Sequence, residues 1–446
     1  MAALDSGTRS SYRFALLALS LALLGAGSMV YYHLGLFIPR VLEQRAAKGL
    51  GNGYAFGDDF YPIWLTSRLW RPEDHDLYSP EMTRQIQTGL FGRTLDARNP
   101  ADPSVDYRQF AYPAFTELLL WPTASLEFPQ LRVVLALLLS ILTALSLWLW
   151  LRALNWRIHP LWFAVLAMLA LCNYQVLEAL FAEQPGLIVG FSLASAALAI
   201  RRNRLLLAGV LLGLTLIKPQ MTLLALVYLV LWSLSDRRRI RLFVGLIGVT
   251  ALLFAASLWI WPRWLGQWGR VLLGYHRYAT PPLITVLLGS GLGPYIGPVA
   301  IVALLGVGAG LAWKNRRASH ESLNFWLTLS LLLAITSVTL LPGQAIYDHV
   351  ILLPGIFLLL RYWRMLREAG RLPRTLLAIG ALILFWPWAS ALGLILMRPW
   401  LSREVFDSTL VFALPIRTAA SLPFAVLALL AYAKRVNLAG PRAEAA

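Results

Sequence analysis

The chain is 446 residues long, 58% hydrophobic and 14% charged, with a mean hydropathy of +0.64. Soluble domains carry roughly 25% charged residues, so this composition excludes an ordinary soluble enzyme and indicates a polytopic membrane protein. A net charge of +17 and a pI near 10.4 would suggest a nucleic-acid partner for a soluble protein. Here the basic residues stand in short clusters between apolar runs, which is the positive-inside pattern, and no nucleic acid is expected as a partner.

A hydrocarbon core of about 30 Å takes roughly 20 apolar residues at about 1.5 Å each, and backbone groups in lipid must satisfy one another, so the long apolar runs predict helices. In chain order the runs fall at 14–37, 131–151, 160–173, 184–200, 204–218, 220–235, 242–261, 294–313, 323–341, 349–363, 375–397 and 409–433. The expected fold class is therefore an all-α bundle of about twelve transmembrane helices. An even number returns both termini to one side. Basic clusters at Arg9 and Arg13, Arg201 and Arg202, Arg237 to Arg239, Lys314 to Arg317, Arg361 to Arg367, and Lys434 with Arg435 place that side in the cytoplasm. Residues 111–126, broken by Pro113, Glu117 and Pro122, would reverse every later cluster if they crossed; either they re-enter or one neighbouring span is misplaced, and Arg152 with Arg157 after the next run favours re-entry.

The first run is too long for a signal peptide's apolar region and is read as an uncleaved helix. The lone Cys172 leaves no intramolecular disulfide and no thiolate metal site. The expected organisation is a cytoplasmic segment 1–13, a first membrane module 14–261 that includes the outer loop 38–110, a second module 262–433 with outer loops 262–293 and 342–348, and a tail 434–446.

The unusual residues all fall on the outer side. The loop 38–110 is far longer than the roughly 15 residues of ordinary connections. It contains FGDDFYPIWLTSRLW (56–70), in which Asp58 and Asp59 open a short helix with the spacing of one lying along the membrane surface. An aspartate there can cap the helix; two adjacent acids need only one capper, which leaves the other for chemistry. Lys218, in LTLIKPQ, is a cation at the membrane edge, read either as a functional site or as a lysine snorkelling to the interface. IYDHVILLP brings Asp348 and His349 to the mouth of a later helix, and AEQPG places Glu183 and Gln184 at another, where capping and packing are the plainer roles. The stretch 261–278 interleaves Arg263, Arg270, His276 and Arg277 with tryptophans and tyrosines, a pattern suited to phosphate or anionic headgroups and also to a plain interfacial helix. No phosphate-binding GxxxxGK[ST], HExxH or GxSxG signature is present, so neither a nucleotide-binding domain nor a cofactor is expected.

An acid followed by Phe60 in a long first outer loop, FAYPAF (110–115) with Tyr112, AEQPG, GVLLGLTLIKPQ (209–220) and YDHVILLP, in that order on one face, resemble the GT-C glycosyltransferases, and most of all glycosyltransferase family 87, the α-mannosyltransferase-like group. The likeness spans about residues 15–365. It implies transfer of a sugar, mannose first, from a polyprenyl-phosphate donor to a lipid or polysaccharide acceptor at the outer, periplasmic face of a bacterial inner membrane. Asp59 or Asp58 would be the general base, His349 a further catalytic group, and Lys218, Gln184, Glu183, Tyr112, Arg263, Arg270, Arg277, His276 and Asp348 the substrate-binding set. Asp59 is the preferred base because it directly precedes Phe60, and Asp58 the preferred helix cap. Membrane lipids are the remaining partner, and a carrier of lipid-linked saccharides is the alternative activity.

Overall fold

A computed structural model describes residues 2–50, 56–70, 76–275, 279–406 and 410–436. Every regular element among them is helical. The N-terminal part comprises α1 (Ala2–Tyr31), a π-helical turn Tyr32–Phe37, α2 (Ile38–Ala47), α3 (Tyr61–Leu69), α4 (Pro80–Phe91) and α5 (Phe115–Leu120). Then follow α6 (Phe128–Ala153), α7 (Pro160–Leu171), α8 (Tyr174–Phe181), α9 (Gly186–Arg201), α10 (Leu205–Leu214), α11 (Leu223–Leu234), α12 (Ile240–Ile260) and α13 (Trp264–Tyr275). The C-terminal part holds α14 (Leu283–Leu287), α15 (Gly289–Asn315), α16 (Leu323–Thr339), α17 (Leu353–Arg361), α18 (Trp363–Glu368), α19 (Arg371–Met397), α20 (Arg403–Val405), α21 (Val411–Ala419) and α22 (Leu422–Arg435).

Among the described residues five helical stretches are long and apolar enough to cross a bilayer: 13–47, 128–153, 237–260, 289–315 and 371–400; α7 and α8, bent by 60°, form a sixth if taken as one broken span. The chain is an all-α polytopic membrane protein. Several of the expected spans are shorter helices: α9, α11 and α16 have 16, 12 and 17 residues. Burial accounts for the apolar character of α9 and α16. Every residue from Phe325 to Thr339 of α16 is buried, as are most of α9, so these helices are apolar all round because protein surrounds them. The long α12 and α15 instead leave most of their apolar surface exposed, as helices facing lipid do. Residues 111–126 give only the six-residue α5 and a 3-10 turn, too short to cross.

Small residues set the tightest helix crossing. A Cβ on Gly209 of α10 would strike Leu242 O, and one on Gly245 of α12 would strike Leu206 O, so the two backbones touch as membrane helices with facing glycines do. The segment between α2 and α6 has its own core: Phe60, Ile63, Trp64, Met82, Ile86 and Phe115 pack with Trp264 of α13. Local signals define α4 within it. Ser79 caps it by accepting from the Met82 N–H at 3.1 Å, Pro80 occupies the first turn, and Gly92 ends it at φ 72°.

Candidate active site

Gly57 begins the acidic turn at φ +83°, a left-handed conformation that glycine adopts without steric cost, and a Cβ there would lie 2.6 Å from Glu183 Oε2. The turn hangs from the end of α8: Gly57 N–H donates to Phe181 O at 2.8 Å and Asp59 N–H to Ala182 O at 3.2 Å, satisfying carbonyls that a helix end leaves without intrahelical partners. Phe60 is the residue that precedes α3, and no side chain caps that helix. The expectation that Asp58 is its cap is thus corrected. Both carboxylates pair instead with a guanidinium.

That guanidinium belongs to Arg108. It donates from Nη2 to Asp58 Oδ2 at 2.5 Å and from Nη1 to Asp59 Oδ1. Arg108 itself sits at φ 68°, a conformation uncommon outside glycine that persists where the surroundings over-determine it; here the double ion pair does so. The network continues through Gln184, whose Nε2 donates to Asp59 Oδ2 and whose Oε1 accepts from Lys218 Nζ at 3.0 Å. Lys218 also donates to both oxygens of Asp348 at 2.8 Å. A carboxylate on one side and an ammonium on the other fix which way the Gln184 amide points, and three acceptors use all three ammonium protons. Snorkelling is therefore not what Lys218 does: its side chain is 8% exposed and turned inward. Gly186 makes room for this, since a Cβ there would collide with Asp348 Oδ1.

Electrostatics follow from three carboxyls facing two cations. Burial raises the Asp58 carboxyl well above the ordinary range; Arg108 opposes this and Asp59 adds to it. Asp348 is likewise raised by burial, against the pull of Lys218. The Tyr112 hydroxyl is raised by burial and by Asp59 and Asp348, so it stays a proton donor beside the acids, and Lys218 Nζ stands 5.2 Å from the Tyr347 ring. Asp59, with its side chain 18% exposed, is the carboxylate at the open edge, whereas the Asp58 and Asp348 side chains are 1% and 2% exposed.

The structure therefore joins Asp58, Asp59, Gln184, Lys218 and Asp348 and sets Tyr112 beside them. It does not draw in every expected residue. Glu183 is wholly buried under Gly57 at φ 54°, both its oxygens unpartnered, and burial pushes its carboxyl up to about 8 against the opposing charge of Arg132. His349 is buried with Nδ1 unpartnered and no hydrogen bond to the network. Arg263 lines a separate cavity of ≈ 220 Å³ with Trp70, Asp76 and Gln267. It stands at the opposite end of α13 from Tyr275, which interacts electrostatically with Tyr112 and Tyr347; Arg270 is exposed on that helix. His276 and Arg277 lie outside the described residues. Among the described residues no group of three or more His, Cys, Asp or Glu is arranged to hold a metal ion. Arg108 was missed from sequence. Its only signal is a basic residue in a loop expected to lie on the outer side, against the charge bias, next to an aromatic.

No curated protein matches the sequence significantly. The sequence profile of glycosyltransferase family 87 matches residues 110–342, just over half of the chain. That stretch contains Tyr112, Gln184 and Lys218, while the acids they face come from either side of it. The chain belongs to glycosyltransferase family 87 and is a membrane glycosyltransferase.

Proposed function

We propose that the protein moves a sugar, mannose being the first candidate, from a polyprenyl-phosphate donor to a hydroxyl of a glycolipid or glycan acceptor. The reaction takes place in a GT-C-type bundle at the outer face of a bacterial inner membrane. The observation that carries this reading is Asp59, the accessible carboxylate of the network, gripped by Arg108 on one oxygen and Gln184 on the other. A base held so rigidly is suited to one position of the acceptor. The acceptor oxygen attacks the sugar's anomeric carbon as its proton passes to Asp59, and the carbon–oxygen bond to the phosphate breaks with the electron pair leaving on phosphate. A single displacement inverts the anomeric centre.

Lys218 is the proposed cation for the departing phosphate. It is fully engaged here, so this role has it exchange Asp348 for phosphate oxygens. Tyr112 and Tyr347 supply hydroxyl donors and ring faces beside the sugar. The test is incubation of the purified protein with a panel of polyprenyl-phosphate sugars and acceptors, scoring release of polyprenyl phosphate. Release with one sugar, coupled to a glycosylated product, is expected; transfer from nucleotide sugars alone would overturn the donor class.

A further inference from the structure

The far end of the bundle holds a second polar concavity. Helix α9 runs away from Gln184 for 16 residues, about 24 Å at the helical rise, and the 26-residue α6 packs against it. Where the two end, Arg152, Arg157, Arg201 and Arg202, with Asn155 and Trp156, line a cavity of ≈ 170 Å³, and no acidic side chain is among its walls. The walls are held in place. Trp156 N–H donates to Leu151 O at 2.8 Å, its ring meets Phe357 edge-on at 6.1 Å, and Arg361 donates to Leu154 O at 2.5 Å. Asn155 turns the chain at φ 51°.

The positive-inside rule accounts for arginines at this face, though not for four of them around one hollow. Arg201 gives one N–H to Glu321 O at 3.3 Å and Arg152 lies over Trp148. The side chains of Arg157 and Arg202 make no hydrogen bond or ion pair with the described residues. Four arginines lining a cavity of this size, with no acid among them, concentrate positive charge that an anion would relieve. Guanidinium forks match phosphate oxygens. Beside the hollow, α6 exposes Leu138, Ile141, Leu145 and Trp148 in a stripe, which gives an acyl chain an apolar track.

We propose that this cavity binds a phosphate group, presented by an anionic phospholipid whose acyl chain lies along α6. The ligand bridges the ends of α6 and α9, at the opposite end of the bundle from the Asp59 network. The test uses the full chain in detergent, titrated with phosphatidylglycerol, phosphatidylcholine or inorganic phosphate while thermal unfolding is followed. Phosphatidylglycerol should stabilise the wild type and phosphatidylcholine should not. The pair Arg157→Gln and Arg202→Gln should raise the half-saturating phosphatidylglycerol concentration about tenfold, the scale of a lost charged hydrogen bond. Arg237→Gln with Arg238→Gln, an equal loss of exposed charge elsewhere, should leave it unchanged. Stabilisation by inorganic phosphate alone, lost in the pocket pair, would keep the phosphate site and make its source soluble. Equal losses in both pairs, equal stabilisation by phosphatidylcholine, or no stabilisation by any phosphate would overturn the site.

Discussion

The acids of the Asp59 network and the buried Glu117 of α5 are built into the fold differently. Asp58 and Asp59 share Arg108, connect through Gln184 to Lys218 and Asp348, and leave Asp59 at an open edge. Glu117 of α5 is 3% exposed; Ser67 donates to its Oε2, and its Oε1 has no partner. Burial pushes its carboxyl up to about 8, opposed only by the Ser67 hydrogen bond. Burial and a raised carboxyl are common to Asp58 and Glu117. What distinguishes the first set is charged partners and access, and those are what acid–base chemistry on an incoming substrate requires.

The largest expected effect separates the two sets by turnover. Asp59→Asn should lower kcat by about 10²–10⁴-fold, the worth of a positioned base, with donor affinity largely kept, while Glu117→Gln should transfer at close to the wild-type rate. Steady-state kinetics on a confirmed donor decide it; comparable losses in the two variants would erase the contrast. Asp58→Asn should fall between them, since Asp58 touches Arg108 but not the open edge. If Asp58→Asn instead shows the larger loss, the base is Asp58.

Next comes Arg108. Its replacement by Gln leaves two carboxyls without their cation, at a cost of about 3–5 kcal/mol, read as a fall in unfolding temperature. Asp58, already raised by burial and now without the opposing charge of Arg108, then favours the protonated form, so the deficit should be smaller at pH 5 than at pH 8. Arg108→Lys should recover only part of it, because an ammonium cannot fork to two carboxylates. Lys218→Ala should weaken use of the donor by about 10–100-fold, the range for a hydrogen bond to a charged group, through KM more than through folding. Unchanged kinetics would leave Lys218 as a tether for Gln184 and Asp348.

The smallest effect lies in the sealed acid. The Glu117 carboxyl stands at about 8 in the fold against an ordinary 4.5. Its stability contribution is therefore complete below about pH 4.5 and is lost as pH rises toward 8, where the fold must hold an ionised, poorly partnered carboxylate. Thermal unfolding of the wild type should fall over that window, and Glu117→Gln should flatten the fall by a few °C while transfer is unaffected. A parallel pair of curves would place the pH dependence elsewhere.

Much of this was legible in the sequence, in a particular way. Hydropathy located the apolar segments, and residues that contradict a membrane setting, such as Asp58, Asp59, Lys218, Gln184 and Asp348, were visible as exceptions to it. Pairing was not legible. Arg108 reaches the acids across a loop of 50 residues, and nothing local in YRQF announces that contact. The capping role given to Asp58 failed because local propensity was outbid by an ion pair from far along the chain. Helix lengths were also hidden, because a hydropathy run reads the same whether lipid or protein surrounds it.

The suspension of the acidic turn from α8 has a mechanical consequence. α8 meets α7 at the 60° bend, so its eight residues form a crank arm about 12 Å long, with Asp59 carried at the tip and Lys218 and Asp348 mounted on other parts of the frame. A swing of about 5° at the elbow moves that tip by about 1 Å, and misplacement on that scale can cost about 10²-fold in rate. Two struts brace the elbow: Asn173 accepts from Val176 N–H at 2.7 Å, and Trp388 of α19 donates to Cys172 O at 2.8 Å. Trp388→Phe, which removes one strut without touching the acids, is expected to slow transfer while leaving donor affinity in place; an unaltered rate would mean that the remaining packing alone keeps the arm stiff. The tolerance of the chemistry is in this sense machined into a joint that contains none of the reacting groups.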